Sequence, residues 1–297
     1  MGEKFGMRWL AGLSFGTAVA LLVSTFDAFG ADKGQYTLFN PTPDRLLREM
    51  TTDRPDTTES PFTVDAGHVQ VETGLFGYRR SRPDDEAGAV TDSYEFATTN
   101  LRIGLTNSAE FTLIWQPYGT ARVHQVDPVA IFRQSGIGGV ALRAKFNLWG
   151  NDTFEKPGAT ALALLPFVSL PTDRHNGISP EFVGGGLIVP FAVKLSDKWD
   201  VTLNSGTAYI REDTATKYHA EYLASASFSY EWSEQLGTYY EVAARLHTED
   251  PRGDIVVLGT GLTYKLGKNV QLDGGVNFGV TQAADRINPF IGVSIRF

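Results

Sequence analysis

The chain has 297 residues, 20% of them charged and 42% hydrophobic, with a formal net charge of −8 and no cysteine. The acidic balance argues against nucleic acid as a partner, and the lack of cysteine excludes a disulfide framework, thiolate chemistry and a lipid-anchored amino terminus. A mean hydropathy of −0.15 resembles that of a soluble protein. It equally fits a membrane barrel, in which only every second strand residue faces lipid.

Lys4 and Arg8 precede an uncharged apolar run from Trp9 to Phe26, followed by the small residues Ala28 and Gly30. This pattern predicts a secretory signal peptide over residues 1–30, cleaved before Ala31. The alternative is an uncleaved membrane anchor, since the run is long enough to span. Residues 31–66 carry Pro41, Pro43, Pro55 and Pro61 and no period-two pattern. They predict a periplasmic extension, with a short helical turn near Asp44 to Met50 capped by Asp44.

From Gly67 the chain becomes a series of alternating segments, and the barrel is expected over residues 67–297. His68–Tyr78 sets Val69, Val71, Thr73 and Leu75 against His68, Gln70 and Glu72. Tyr94–Leu105, Glu110–Tyr118 and Gly139–Trp149 continue the pattern. Ala159–Leu170 is apolar on both faces, so its orientation stays open. Phe182–Leu195, Trp199–Ile210, Tyr218–Trp232, Leu236–His247, Asp254–Leu266 and Val270–Val280 follow. The chain ends on a strand whose apolar face is Ile291, Val293, Ile295 and Phe297. The count is twelve.

Links after the even strands are tight, as in Thr106–Ser108 and Gly267–Lys268, whereas those after the odd strands are longer, the longest being 119–137. An up-and-down barrel with both termini on the periplasmic side alternates this way. Gly150–Pro157, after the fourth strand, is the exception. The fold class expected is therefore all-β: an antiparallel up-and-down transmembrane β-barrel of about twelve strands, closed by the strand that ends at Phe297. It belongs in the outer membrane of a Gram-negative bacterium, with outer-membrane lipid and lipopolysaccharide around it. The barrel-assembly machinery would engage the last strand. Trp115, Tyr118, Trp199, Tyr209, Tyr230, Trp232 and Phe297, near strand ends, would form interfacial girdles.

The face opposite the apolar one carries Glu72, Arg102, Glu110, Arg143, Lys145, Asp200, Glu221, Glu241, Arg245 and Asp273. Charge on the lipid face is costly, so these are the candidate lumen-lining residues. Two roles stay open for them: pairing across strands to tie a narrow barrel shut, or lining a water-filled path. No enzyme motif is found. The sequence has no G-x-S-x-G, H-E-x-x-H or phosphate loop, and His68, His124, His175, His219 and His247 sit at no metal-ligand spacing. Neither catalysis, a metal nor a cofactor is therefore expected.

Asp53-Arg54-Pro55-Asp56 forms a rigid charged elbow just before the first strand. It either folds into the lumen as a plug, pairing with inward charges such as Arg102, Arg143 or Asp273, or is a solvated linker. The stretch Thr51 to Glu72 fits the pattern T-D-R-P-D-x-T-x-S-P-x-x-V-x-x-G-x-x-Q-x-E nearly throughout. With Leu101–Thr106, Pro190–Leu195, Leu272–Val280 and the closing Ser294–Phe297, it resembles a proteobacterial outer-membrane transporter family labelled "putative meta-pathway of phenol degradation". The resemblance spans residues 51–297. It implies an outer-membrane barrel passing small, aromatic or hydrophobic solutes without catalysis. The competing reading is a structural or adhesive barrel whose extracellular loops bind.

Overall fold

The computed structural model describes residues 33–84, 88–126, 129–211 and 217–297, so the expected signal peptide lies outside the described residues. Fourteen β-stretches form one closed antiparallel sheet: β1 (Val69–Arg80), β2 (Val90–Thr106), β3 (Ala109–Trp115), β4 (Tyr118–Gln125), β5 (Ala130–Gly136), β6 (Val140–Trp149), β7 (Thr160–Leu170), β8 (Gly184–Lys194), β9 (Trp199–Ile210), β10 (His219–Glu231), β11 (Leu236–His247), β12 (Ile255–Lys265), β13 (Val270–Gly279) and β14 (Asn288–Arg296). They make twelve staves. β3 and β4 are two halves of one stave, because both pair with β2, at Thr99↔Trp115 and Phe96↔Tyr118. β5 and β6 are likewise two halves of the next, paired with β4 and β3. Closure comes from β1 against β14, running from Gln70↔Arg296 to Gly77↔Phe290. No α-helix occurs among the described residues.

The barrel is inverted relative to a water-soluble protein. Arg102, Lys145, Glu72, Glu110 and Gln70 are among the most buried side chains, each at most 1% exposed. Leu203, Leu258, Leu262, Ile291 and Tyr240 are each more than 40% exposed. An apolar exterior around a charged interior is stable only where the outer solvent is hydrocarbon. Trp199, Tyr230 and Trp232 pack against one another near one rim, with ring centroids 4.7 and 4.8 Å apart. Phe76, Phe96 and Tyr118 form a second cluster toward the other rim. Trp115, Trp199, Tyr209, Trp232 and Phe297 are all exposed.

Several expected boundaries shift. The stretch 119–137 is not a loop: β4 and β5 extend the wall as a hairpin, with Val123 opposite Phe132. Sequence pattern missed it because the two staves break at Gln116–Pro117 and Ile137–Gly139, resetting their alternation. β2 begins at Val90, lengthening the stave and shortening the preceding loop. The helical turn is a 3-10 turn over Asp44–Leu46 with Pro43 at its N-cap; Asp44 lies inside it and does not cap it. The open orientation of 160–170 resolves with Ala161, Ala163 and Leu165 buried inside, where small side chains leave room for what fills the lumen.

Candidate functional site

Residues 33–68 fold back into the barrel at the end carrying the short turns. Thr37 bridges Thr106, and Leu38 N–H donates to Leu105 O at 2.8 Å, fastening the segment to the end of β2. Gly104 faces this entry. A Cβ there would lie 2.1 Å from Asp65 O, so the backbone passes close only because β2 carries glycine at that point.

Deeper in, the elbow meets the wall. Asp53 accepts from Lys145 Nζ at 2.7 and 2.8 Å and lies 3.3 Å from Arg102 Nε. Its backbone N–H donates to Glu72 at 3.1 Å. Arg102 is the hub: Nη1 donates to Glu72 at 2.8 Å and to Thr51 O at 3.2 Å, while Nη2 donates to Glu110 at 2.9 Å and to Phe62 O at 3.0 Å. Glu110 in turn accepts from Val64 N–H at 2.7 Å. Arg54 reaches the opposite side of the seam and donates to Asp273 at 2.8 Å. It passes so close to Gly292 that a Cβ there would meet its guanidinium at 2.4 Å. Arg143 pairs with Glu59. Glu241 accepts from the N–H groups of Thr57 and Thr58 at 3.1 and 2.6 Å. Pro55 and Asp56 line a crevice beside this contact.

Of the ten charged positions on the inner face, Glu72, Arg102, Glu110, Arg143, Lys145, Glu241 and Asp273 therefore touch the N-terminal segment. The other three do not. Arg245 donates to Glu221 at 2.6 Å across β10 and β11, and Asp200 lies 3.5 Å from Lys194. His219 stacks on His247 at 3.9 Å beside the Glu221 pair. Cross-strand pairing and segment docking thus occur in one lumen, and β11 takes part in both, through Arg245 and Glu241.

Uncharged inner residues hold the segment as well, and charge alone does not single them out. Gln70 Nε2 donates to Thr51 O at 2.8 Å, Asn147 Nδ2 to Pro61 O at 2.9 Å and Gln271 Nε2 to Thr52 Oγ1 at 3.0 Å. Their inward alternation was the available signal. The unusually long turn after β6 supplies a latch at the mouth. Asp152 accepts from Lys33 Nζ at 2.7 Å and from Asn107 Nδ2 at 2.6 Å, and lies 3.4 Å from Arg48 Nη1. Asn151 Nδ2 donates to Thr63 Oγ1 at 2.7 Å, and Phe154 packs edge-on against Phe62 at 5.0 Å. Partial burial acts to raise the Asp152 carboxyl. The hydrogen bonds from Lys33 and Asn107 and the nearby Arg48 charge outweigh it, holding Asp152 below its usual range.

The segment does not fill the barrel. A cavity of about 210 Å³ separates Arg54, Asp56 and Thr58 from Asp200, Thr263 and Lys265 on the β9–β12 wall. It adjoins a wider space of about 970 Å³ at the mouth, with Met50, Glu231 and Lys265 among the residues lining both. Lys265 pairs there with Glu49 of the segment. Among the described residues no cluster of three or more His, Cys, Asp or Glu could hold a metal ion.

An apolar-coated barrel around a charged lumen defines an outer-membrane β-barrel. More particularly, the model of the family described as "Putative MetA-pathway of phenol degradation" matches residues 52–297, and the chain belongs to that family. Among solved structures, an outer membrane channel from Pseudomonas putida F1 shares the fold, with a TM-score of 0.59 at 12% identity over 83% of this chain and 100% of that one. The NanC porin aligns with a TM-score of 0.48 at 9% identity, over 76% of this chain and 98% of that one. The transport unit of the autotransporter AIDA-I from Escherichia coli gives 0.49 at 12%, over 84% and 93%. Comparison with curated proteins finds no match.

Proposed function

We propose that the protein is an outer-membrane channel for small solutes, with the N-terminal segment as a plug that narrows the lumen to a lateral crevice. The observation carrying this reading is the asymmetry of the filling. The segment is bonded densely to the β1–β6 wall, whereas it reaches the β9–β12 wall at fewer points, Ser225, Glu241 and Lys265, and leaves between them a gap lined by Asp200, Thr263 and Lys265. A barrel tied shut for strength alone has no use for a polar gap of that kind. The family description supports a small aromatic solute, and the solved channel from Pseudomonas putida F1 is an outer membrane channel on the same fold.

The test is planar-bilayer conductance of the refolded protein, with liposome uptake of phenol-sized solutes measured in parallel. Channel steps with faster uptake of small than of large solutes support the reading. Insertion without conductance or uptake overturns it, in favour of a structural barrel.

A further inference from the structure

We infer that the outer face of the β1–β2–β4–β5 sheet carries a binding site for the phosphate groups of the outer-leaflet glycolipid. Strand register fixes which residues share this face. Phe76 lies opposite Ile291, an exposed residue of the lipid-facing side, and also opposite Phe96, which in turn lies opposite Tyr118. These three rings therefore form an outward aromatic belt. Steps of two keep a strand on the same face. Arg80, Asp92, Arg122 and Arg133 accordingly point outward too, and they are direct partners in one row across four strands: Arg80↔Asp92, Asp92↔Arg122 and Arg122↔Arg133.

The row lies four residues beyond the belt on the loop side, about 13 Å along the strands. Aromatic belts sit at the membrane interface, so the row stands at headgroup level. Its charge is unbalanced. Asp92 is already engaged by Arg80 at 2.8 Å, by Tyr78 Oη at 2.6 Å and by His124 at 3.6 Å. Arg122 and Arg133 have no partner among the described residues. Like charges directly opposite on neighbouring strands destabilise a sheet. Two adjacent guanidiniums with free donors, beside lipid and above an aromatic shelf, match a phosphorylated lipid headgroup in charge, height and geometry. Toward the base of the hairpin its other face is taken up within the protein, where Gln134 meets Gly177 and Gly119 meets Ile178.

The test uses full-length folded protein in detergent, titrated with bisphosphorylated lipid A and with its dephosphorylated form. We expect the phosphorylated form to bind about tenfold tighter or more, the scale of one or two charge-assisted hydrogen bonds. In Arg122→Gln/Arg133→Gln that preference should vanish while heat-modifiable migration and conductance stay unchanged. Arg133→Gln alone, on the outermost strand, should lose part of it and serves if the double variant fails to fold. Equal binding of the two lipids by the wild-type protein would overturn the site, as would a retained preference in the folded variant. Competition by inorganic phosphate at equal concentration would overturn the lipid as its occupant.

Discussion

Thr58 Oγ1 lies 2.9 Å from Ser225 Oγ, although the two residues are 167 positions apart in the chain. One belongs to the N-terminal segment and the other to the inner face of β10, so this contact reports whether the segment is in place. Both side chains are short, and the hydroxyl separation puts a Thr58→Cys/Ser225→Cys disulfide within reach. In a chain without native cysteine the bond can form in only one way. We expect oxidised double-cysteine protein to keep a low, steady conductance, and reduction to restore the wild-type fluctuations. Identical traces in both states would mean that the segment never moves during conduction.

Arg102 is fully buried among Asp53, Glu72 and Glu110. Replacing it by Gln leaves three carboxylates facing one another with only Lys145 between them. Removal of one partner from a buried ionic cluster costs about 3–5 kcal/mol. The barrel wall retains its strand pairing, so the loss should appear first as release of the segment. Protease should then cut residues 33–66 of Arg102→Gln inserted in vesicles while sparing the barrel. Equal protection of variant and wild type would show that the hub is dispensable.

Lys265 stands where the crevice meets the wider mouth, paired with Glu49 and 3.8 Å from Glu231. Changing it to Glu would leave three carboxylates at this passage. Under a salt gradient the reversal potential of Lys265→Glu should move toward cation selectivity relative to wild type. An unmoved potential would place the ion path elsewhere in the lumen.

Asp152 makes the mouth latch dependent on pH. Its carboxyl is held below its usual value of 3.8, so the folded state favours the ionised form. A lowered value gives a stabilisation that is complete above the usual carboxylate pKa and is lost as pH falls through the lowered one. Conductance should therefore rise or grow noisier in acid and stay flat above that range. Asp152→Asn should show the acid behaviour at every pH. A variant as quiet and pH-dependent as wild type would assign the acid response to another carboxylate.

The wall of this barrel was legible in the sequence because lipid enforces a strict period of two: Leu258, Thr260 and Leu262 already declare which side is which. Stretches that escape this rule were not legible. The β4–β5 hairpin rises beyond the lipid band and is exposed on both faces at Ile131 and Phe132, so its pattern carries no sidedness. Ala161 and Ala163 look lipid-facing by polarity, yet point inward because something packs on them. The partners of the elbow were beyond local reading altogether. Asp53 and Lys145 meet across 92 positions, and no periodicity links them. The one local hint was the overlong Gly150–Pro157 turn, whose Asp152 and Phe154 turn out to hold the segment at its mouth.

The separation of densely bonded anchoring positions from gap-lining positions such as Asp200 and Thr263 gives the protein a modular wall. Substitutions at Asp200 or Thr263 leave every anchoring contact of Arg102 and Lys145 untouched, so solute preference can drift among relatives, or be redesigned, at little risk to assembly. The anchoring positions around Arg102 have no such freedom, since Arg102, Asp53, Lys145 and Glu110 each answer to several others at once. Sequence variation within the family should therefore be lopsided, wide around Asp200 and Thr263 and narrow over the β1–β6 charges and at Glu241.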